Sequence, residues 1–408
     1  MLKFIELQNV GPSRHMRVDF APRLNLLTGD NGLGKTFILD IAWWALARKW
    51  TDLQALPDPE NPEQPAIIFE QDGTAHSGPL ESSFSFENQT WELPPKRSWE
   101  SSAALYIRAD GGISLHDPMK GSFQPYIFKP LDIWDGLSRS GRRLCNGLID
   151  DWTSWQLRHD EKRENFDALV EALETLSPSD DERIVPDKPI RISVEDTREI
   201  PTIRMPYGKV PVTHASSGCR RVLSIAYLLV WLWSENKAAA KLKKKAATDR
   251  MTILFDEVES HLHPQWQRRL VPSIMKVLKK LQPSAKIQFI AGTHAPLVLA
   301  SLESIFSDKL DSLTVFDLID GDVKVERVPW QNFGDASSWL TSDVFGLGAA
   351  RALEAEKAIQ KALNAIELAE MDPKKLKSLH QDLRRVLKDT DPFWPRWLYY
   401  AEKKGVKP

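Results

Sequence analysis

Gly29-Asp30-Asn31-Gly32-Leu33-Gly34-Lys35-Thr36 is a complete G-x-x-x-x-G-K-[ST] element. The largely apolar residues 23–28 before it predict a buried strand. After it, Phe37, Ile38, Ile41, Ala42, Ala45 and Leu46 recur at i, i+3, i+4, which predicts a helix over 35–50. Strand, glycine-rich loop and helix in that order make an anion site. The glycines let backbone N–H groups turn inward, and the helix N-terminus adds partial positive charge. Lys35 is placed to reach β- and γ-phosphates and the Thr36 hydroxyl to ligate Mg²⁺. A chance glycine-rich turn would not need both flanks. ATP and Mg²⁺ are therefore the expected cofactors, held by Gly29, Asn31, Gly32, Gly34, Lys35 and Thr36.

A second apolar run, 252–255, ends in Asp256-Glu257. Two acids at the carboxyl end of a buried strand sit where nucleotides bind in α/β sheets. Asp256 is the expected second Mg²⁺ ligand, and Glu257 the expected general base for an attacking water. A third such run, 287–290, leads into Thr293-His294, which brings an imidazole toward the same edge. Lys35, Glu257 and His294 are the expected catalytic side chains. Between the acids and this histidine, Glu259, His261 and His263 lack a third convergent partner for a metal other than Mg²⁺. His214-Ala215-Ser216-Ser217-Gly218-Cys219 opens a long apolar helix predicted over 220–234. Alone, its serines are an ordinary N-cap. Beside a chain that already cradles one set of phosphates, they fit a nucleotide held by a second copy.

Composition narrows the class. Lys+Arg total 54 against 56 Asp+Glu, so the net charge is −2 and any nucleic-acid contact must use a local patch. The two cysteines, Cys145 and Cys219, are far apart, which excludes a disulfide scaffold or a Cys-based zinc site and fits a reducing, cytoplasmic setting. The opening Met1-Leu2-Lys3-Phe4-Ile5-Glu6 predicts no export signal, and 222–233 is too short an apolar run to span a bilayer. No membrane partner is expected.

Further strands are predicted at 3–7, 17–20, 103–108, 190–194 and 201–205, with short alternating runs at 67–70 and 82–87. Residues 177–187 predict a polar linker, and 349–370 a helix packed on the ATPase lobe. The fold class expected is α/β, a mixed β-lobe joined to a parallel RecA-like sheet. Its parts are an ATPase lobe over 1–133, a short helical arm over 134–177, a second ATPase lobe over 178–330 and a helical, partner-docking region over 331–408.

In their order, these motifs resemble the ABC-type ATPases of the SMC, RecF and OLD-like class. More than half the chain separates Lys35 from Asp256, which argues against a compact AAA+ arrangement. The resemblance implies a head-to-tail homodimer, or a higher homo-oligomer, with Ser216 and Gly218 of one copy touching ATP held by Lys35 of the other. Here the family's Leu-Ser-Gly-Gly-Gln signature reads Ala215-Ser216-Ser217-Gly218-Cys219, and no glutamine stands out for its Q-loop, Gln124 and Gln156 being the candidates. The stretches 256–267 and 339–347, with the aromatic tail at 393–400, are more narrowly similar to the PtuA ATPases of Septu anti-phage operons, which also occur beside some retrons. That likeness implies a slow, regulated ATPase that controls an HNH-type nuclease and meets nucleic acid through the complex. A RecF-like repair ATPase is the alternative. Lys237, Lys241, Lys243, Lys244, Lys245 and Arg250 would supply its DNA-binding stripe.

Overall fold

The computed structural model describes residues 1–72, 78–94, 102–120, 124–158, 163–347, 350–367 and 372–404. The chain forms two compact units, Met1–Ala336 and Ser337–Pro408.

The first unit is built around an eight-stranded sheet in the order Asp322–Val328, Asp311–Ile319, Leu24–Gly29, Lys286–Gly292, Arg250–Phe255, Ala103–Ile107, Ile113–His116, Tyr126–Phe128. The middle five strands run parallel, and the outer three are antiparallel to their neighbours. Register decides where the chemistry gathers. Leu27 pairs with Gly292, and Phe255 with both Ala291 and Ile107. The loops after Leu24–Gly29, Lys286–Gly292, Arg250–Phe255 and Ala103–Ile107 therefore leave one sheet edge together.

A second sheet, antiparallel, carries Leu2–Val10, Ser13–Asp19, Ala66–Gln71, Leu80–Ser85 and Thr90–Trp91. Helix Lys35–Ala47 lies between the two sheets. Trp43, Trp44, Ile38, Ile41 and Leu46 share one core with Ile5, Leu7 and Phe69 on one side and Tyr106, Leu254 and Ile290 on the other. A helix covered on both sides must be apolar nearly all round, and this one is. Each large side chain so buried contributes about 1.5–3 kcal/mol. This core fixes the phosphate loop, because the helix begins at Lys35. Both cysteines are free and buried. Among the described residues no helix is long and apolar enough to cross a membrane.

Several local expectations change. Within 134–177, helices Leu148–Leu157 and Arg163–Thr175 are preceded by a β-hairpin, Leu137–Arg139 with Arg142–Cys145, that helical periodicity did not predict. Its turn, Ser140-Gly141, has both φ angles positive, as the right-handed twist of a tight hairpin demands. The strand expected at 190–194 lies earlier, as Val185–Ile190, and begins inside the expected linker. Helix Ser217–Lys243 outruns its predicted 220–234, because Ala238, Ala239 and Ala240 carry it into the lysine-rich stretch. The hairpin of Asp311–Ile319 and Asp322–Val328 was not anticipated.

The second unit packs helices Leu353–Glu367, Pro373–Val386 and Trp394–Lys403 around Trp397, which is fully buried. Trp397 Nε1 donates to His380 Nδ1 at 3.1 Å and the Tyr400 hydroxyl to the Ala365 carbonyl at 2.7 Å. The helix expected within 349–370 is present as Leu353–Glu367, and Ile359, Leu363 and Ile366 pack against this core. The buried face of the helix is the small-residue line Ala355, Ala358, Ala362 and Ala365, set against its own unit's helices, while Leu353 is exposed. Residues 349 and 368–370 lie outside the described residues.

Candidate functional site

The phosphate loop uses its glycines where side chains would fail. Gly32 and Gly34 have φ of 80° and 98°, in the left-handed region, and a Cβ on Gly29 would strike the Phe316 carbonyl of the adjacent strand. Gly34 caps helix Lys35–Ala47. The Lys35 ammonium folds back over the loop and donates to the carbonyls of Gly29 at 2.8 Å and Asp30 at 2.6 Å. Burial pushes its pKa down to about 8, against the pull of Asp30, Asp256, Glu259 and Glu257.

Thr36, one residue on, points its hydroxyl at both oxygens of Asp256, at 3.1 and 3.0 Å. The Asp256 backbone N–H is tied to the Ile107 carbonyl at 2.8 Å. Burial raises the Asp256 carboxyl to about 6, the Thr36 bond opposes this, and Glu257 and Asp40 add to it. A hydroxyl and a buried carboxylate closed on each other, with a second acid beside them, suit a hard cation that takes oxygen ligands. The residues present fit Mg²⁺. Asp40 is itself half-buried, with a carboxyl pushed up to about 6 by burial and held by the Tyr106 hydroxyl at 3.0 Å.

Glu257 sits in a left-handed backbone, φ 48°, uncommon for a residue with a side chain. Gly292 permits the neighbouring strand to pass close, since a Cβ there would lie 3.3 Å from Asp256 Oδ1. Beyond Gly292, the His294 ring is half-buried and bonded to the Gly29 backbone; burial and the Lys35 charge lower its pKa. The His294 segment is held by Glu259. Its carboxylate accepts from Thr293 Oγ1 at 2.7 Å and from the His294 N–H at 2.6 Å. Glu259 thus has a partner other than a metal, and His263 caps the short helix that follows, taking Gln265 N at 3.5 Å.

Ser216 is the N-cap of helix Ser217–Lys243, accepting from the Cys219 N–H at 3.3 Å, and is exposed. Gly218 is buried, and a Cβ on it would lie 2.8 Å from the His261 carbonyl. Ser216 therefore presents a side chain to solvent, while Gly218 lets the helix tip pack on the turn that follows Glu259. One turn on, Arg221 ties this helix to the acidic strand end. Its buried guanidinium lies 5.4 Å from the Phe255 ring centroid, donates to the Asp256 and Glu257 carbonyls at 3.4 Å and to those of Arg108 and Ala109 at 3.5 Å.

Lys35, Thr36, Asp256, Glu257 and His294 thus meet at one sheet edge, and Ser216 and Gly218 stand on the helix that Arg221 fastens to it. Glu259 was considered in the sequence only as a metal ligand, not as the clamp on Thr293-His294, and Arg221 was given no role. A third acid two residues past Asp256-Glu257, and an arginine inside an apolar helix, were the available signals. Neither glutamine proposed for the Q-loop is at this edge. Gln124 accepts from Arg139, and Gln156 bonds Trp152 and the Asp187 carbonyl. The loop following Ala103–Ile107, beside the Asp256 strand, carries Arg108, Ala109 and Asp110 instead.

Two family models match the chain. One, "AAA domain, putative AbiEii toxin, Type IV TA system", matches residues 108–300, and another, "AAA domain", residues 5–104. Septu protein PtuA of Bacillus thuringiensis is 24% identical over an alignment covering 89% of each chain. Retron Ec83 probable ATPase of Escherichia coli is 32% identical over 23% of this chain and 14% of its own length. Among solved structures, the SMC head domain from Thermotoga maritima aligns with a TM-score of 0.40 at 16% identity, covering 81% of this chain and 99% of that one. In its motifs and its sequence the chain resembles the ABC-type ATPases, and among them the PtuA ATPases of Septu systems.

Proposed function

We propose that this chain binds and hydrolyses ATP as the regulatory or sensor subunit of a bacterial anti-phage defence complex, in which it controls an HNH-type nuclease. The observation that carries the reading is the meeting of Lys35, Thr36, Asp256, Glu257 and His294 at a single sheet edge. The likeness to Septu protein PtuA along nearly the whole chain supports the defence role and the two-protein setting.

In the proposed mechanism, backbone N–H groups of Gly29–Thr36 and the Lys35 ammonium receive the β- and γ-phosphates, and Lys35 exchanges its two carbonyl partners for phosphate oxygens. Thr36 and Asp256 would hold Mg²⁺, whose charge offsets that of the phosphate oxygens when it is bound. Glu257 takes a proton from the attacking water, and His294 donates to the terminal phosphate. The site is completed in trans. Ser216 of a second copy, with Gly218 and the helix N-terminus behind it, closes on the same phosphates, so two ATPs lie between two protomers. Turnover is slow and regulated, because it waits on that assembly. The arm over 134–177 and the region over 331–408 then pass the change to the partner, in the cytoplasm.

Two members of the stripe that the RecF-like alternative would use are engaged within the chain, while Lys241, Lys243, Lys244 and Lys245 are exposed. Lys237 pairs with Glu164 at 2.8 Å and lies over the Trp233 ring, and Arg250 donates to the Asp72 carbonyl at 3.2 Å. Comparing ATP binding and turnover in wild type and Glu257→Gln tests the reading. The variant should bind ATP at wild-type affinity and lose at least a hundredfold in turnover, about 2.7 kcal/mol; normal hydrolysis would remove Glu257 as the base.

A further inference from the structure

Helix Pro373–Val386 turns Leu376, His380 and Leu383 toward its unit's core. On its other side Lys374, Lys377, Gln381 and Arg384 follow at i, i+3, i+7 and i+10, one line along the helix, with Arg385 beside them. All five are exposed, and none of the four cations has an ion-pair partner among the described residues. The helix's one acid, Asp382, is off this line. Apolar anchors are missing from it as well, whereas protein–protein interfaces concentrate aromatic side chains at their centre and are depleted in lysine. A line of unpaired cations with an amide among them is what a phosphate backbone accepts. The line runs about 15 Å at 1.5 Å per residue. That matches roughly four to five phosphates of one strand at 3.4 Å each along a duplex axis.

We infer that this face of helix Pro373–Val386 is a sequence-independent contact for the phosphate backbone of a nucleic acid. It requires no ATP chemistry and leaves the nucleotide site untouched.

Fluorescence anisotropy of the full chain with a 20-base-pair duplex, and with a single strand of equal length, between 50 and 300 mM salt tests it. Four phosphate contacts predict a log–log salt slope of about −3.6 for the duplex, at roughly 0.9 per contact. In Lys374→Glu/Lys377→Glu/Arg384→Glu the affinity at 50 mM salt should fall at least tenfold and the slope should flatten toward about −1. The same reversal at Lys243, Lys244 and Lys245 should change affinity less than threefold, which separates the line from net charge. Circular dichroism should be superimposable for all variants. No binding by wild type at 50 mM salt, an unchanged slope in the helix variant, or an equal loss in the control variant would overturn the inference. So would displacement of the duplex by poly-glutamate at equal charge concentration, since the occupant would then be an acidic polypeptide.

Discussion

The backbone N–H of His294 donates to Glu259 Oε1 at 2.6 Å. With the Thr293 hydroxyl on the other oxygen at 2.7 Å, the carboxylate clamps the strand-end loop that presents the imidazole. Glu259 lies two residues beyond Glu257, so one short turn sets the acid and the histidine together. Hydrogen bonds to a charged acceptor are among the stronger ones in a protein.

Glu259→Ala should therefore lower kcat roughly tenfold to a hundredfold, at about 1.4 kcal/mol per decade, while ATP affinity stays within about threefold. Glu259→Gln keeps one acceptor oxygen and should fall between. Steady-state kinetics with separate ATP titrations checks the split. Equal losses in affinity and turnover would mean that the clamp shapes the phosphate loop instead.

Lys35 gives a pH dependence with a definite sign. Its folded pKa of about 8 lies below the ordinary 10.5, because burial disfavours the ammonium. Between these values the unfolded chain holds more protons at this group, so the nucleotide-free protein gains stability as pH rises from 8 to 10. Lys35→Met should lose that part of the rise, and should also lose ATP binding. Thermal melts of both proteins at pH 7, 8, 9 and 10 measure the difference, and parallel curves would contradict the placement of Lys35.

Asp256 has the opposite cost. A folded pKa of about 6 against an ordinary 3.8 means that its ionised form is disfavoured in the nucleotide-free protein. The folded state holds the extra proton between these values, so stability from this group falls as pH rises toward 6 and stays lost above it. Asp256→Asn should raise the melting temperature at pH 8, make little difference near pH 4, and abolish hydrolysis. Melts at the two pH values, with turnover at pH 8, read all three effects.

Gly218 is tested by bulk. A Cβ would lie 2.8 Å from the His261 carbonyl, and a backbone neighbour cannot swing aside as a flexible side chain can. Gly218→Val should shift the tip of helix Ser217–Lys243 away from the Glu259 turn. Turnover is expected to fall at least tenfold with ATP binding to the phosphate loop retained, as equilibrium binding and kinetics together will report.

The phosphate loop and the acidic strand end were legible in the sequence because their chemistry fixes residue type and spacing at once. Position Gly32 needs a residue free to adopt φ 80°, and Thr36 must follow Lys35 directly to face Asp256. Glu259 was harder to see. Its partners, Thr293 and His294, are brought to it by parallel pairing of Arg250–Phe255 with Lys286–Gly292, which no local pattern announces. Arg221 is similar, since its carbonyl partners come from two strand ends. The hairpin Leu137–Cys145 has strands too short for a period-2 signal, although Ser140-Gly141 marked its turn. In the second unit Ala355, Ala358, Ala362 and Ala365 are buried and Ile359, Leu363 and Ile366 are packed against the same core, so the apolar face was legible but not the fact that its partners are the helices that follow it.

Nucleotide-dependent pairing of two chains is the centre of the account. Mass photometry of Glu257→Gln under saturating Mg·ATP, beside the nucleotide-free protein, measures it directly. The account predicts twice the 46.4 kDa chain mass with ATP and a shift back toward single chains when Ser216→Arg is added. A particle of one chain mass with ATP demonstrably bound would contradict it.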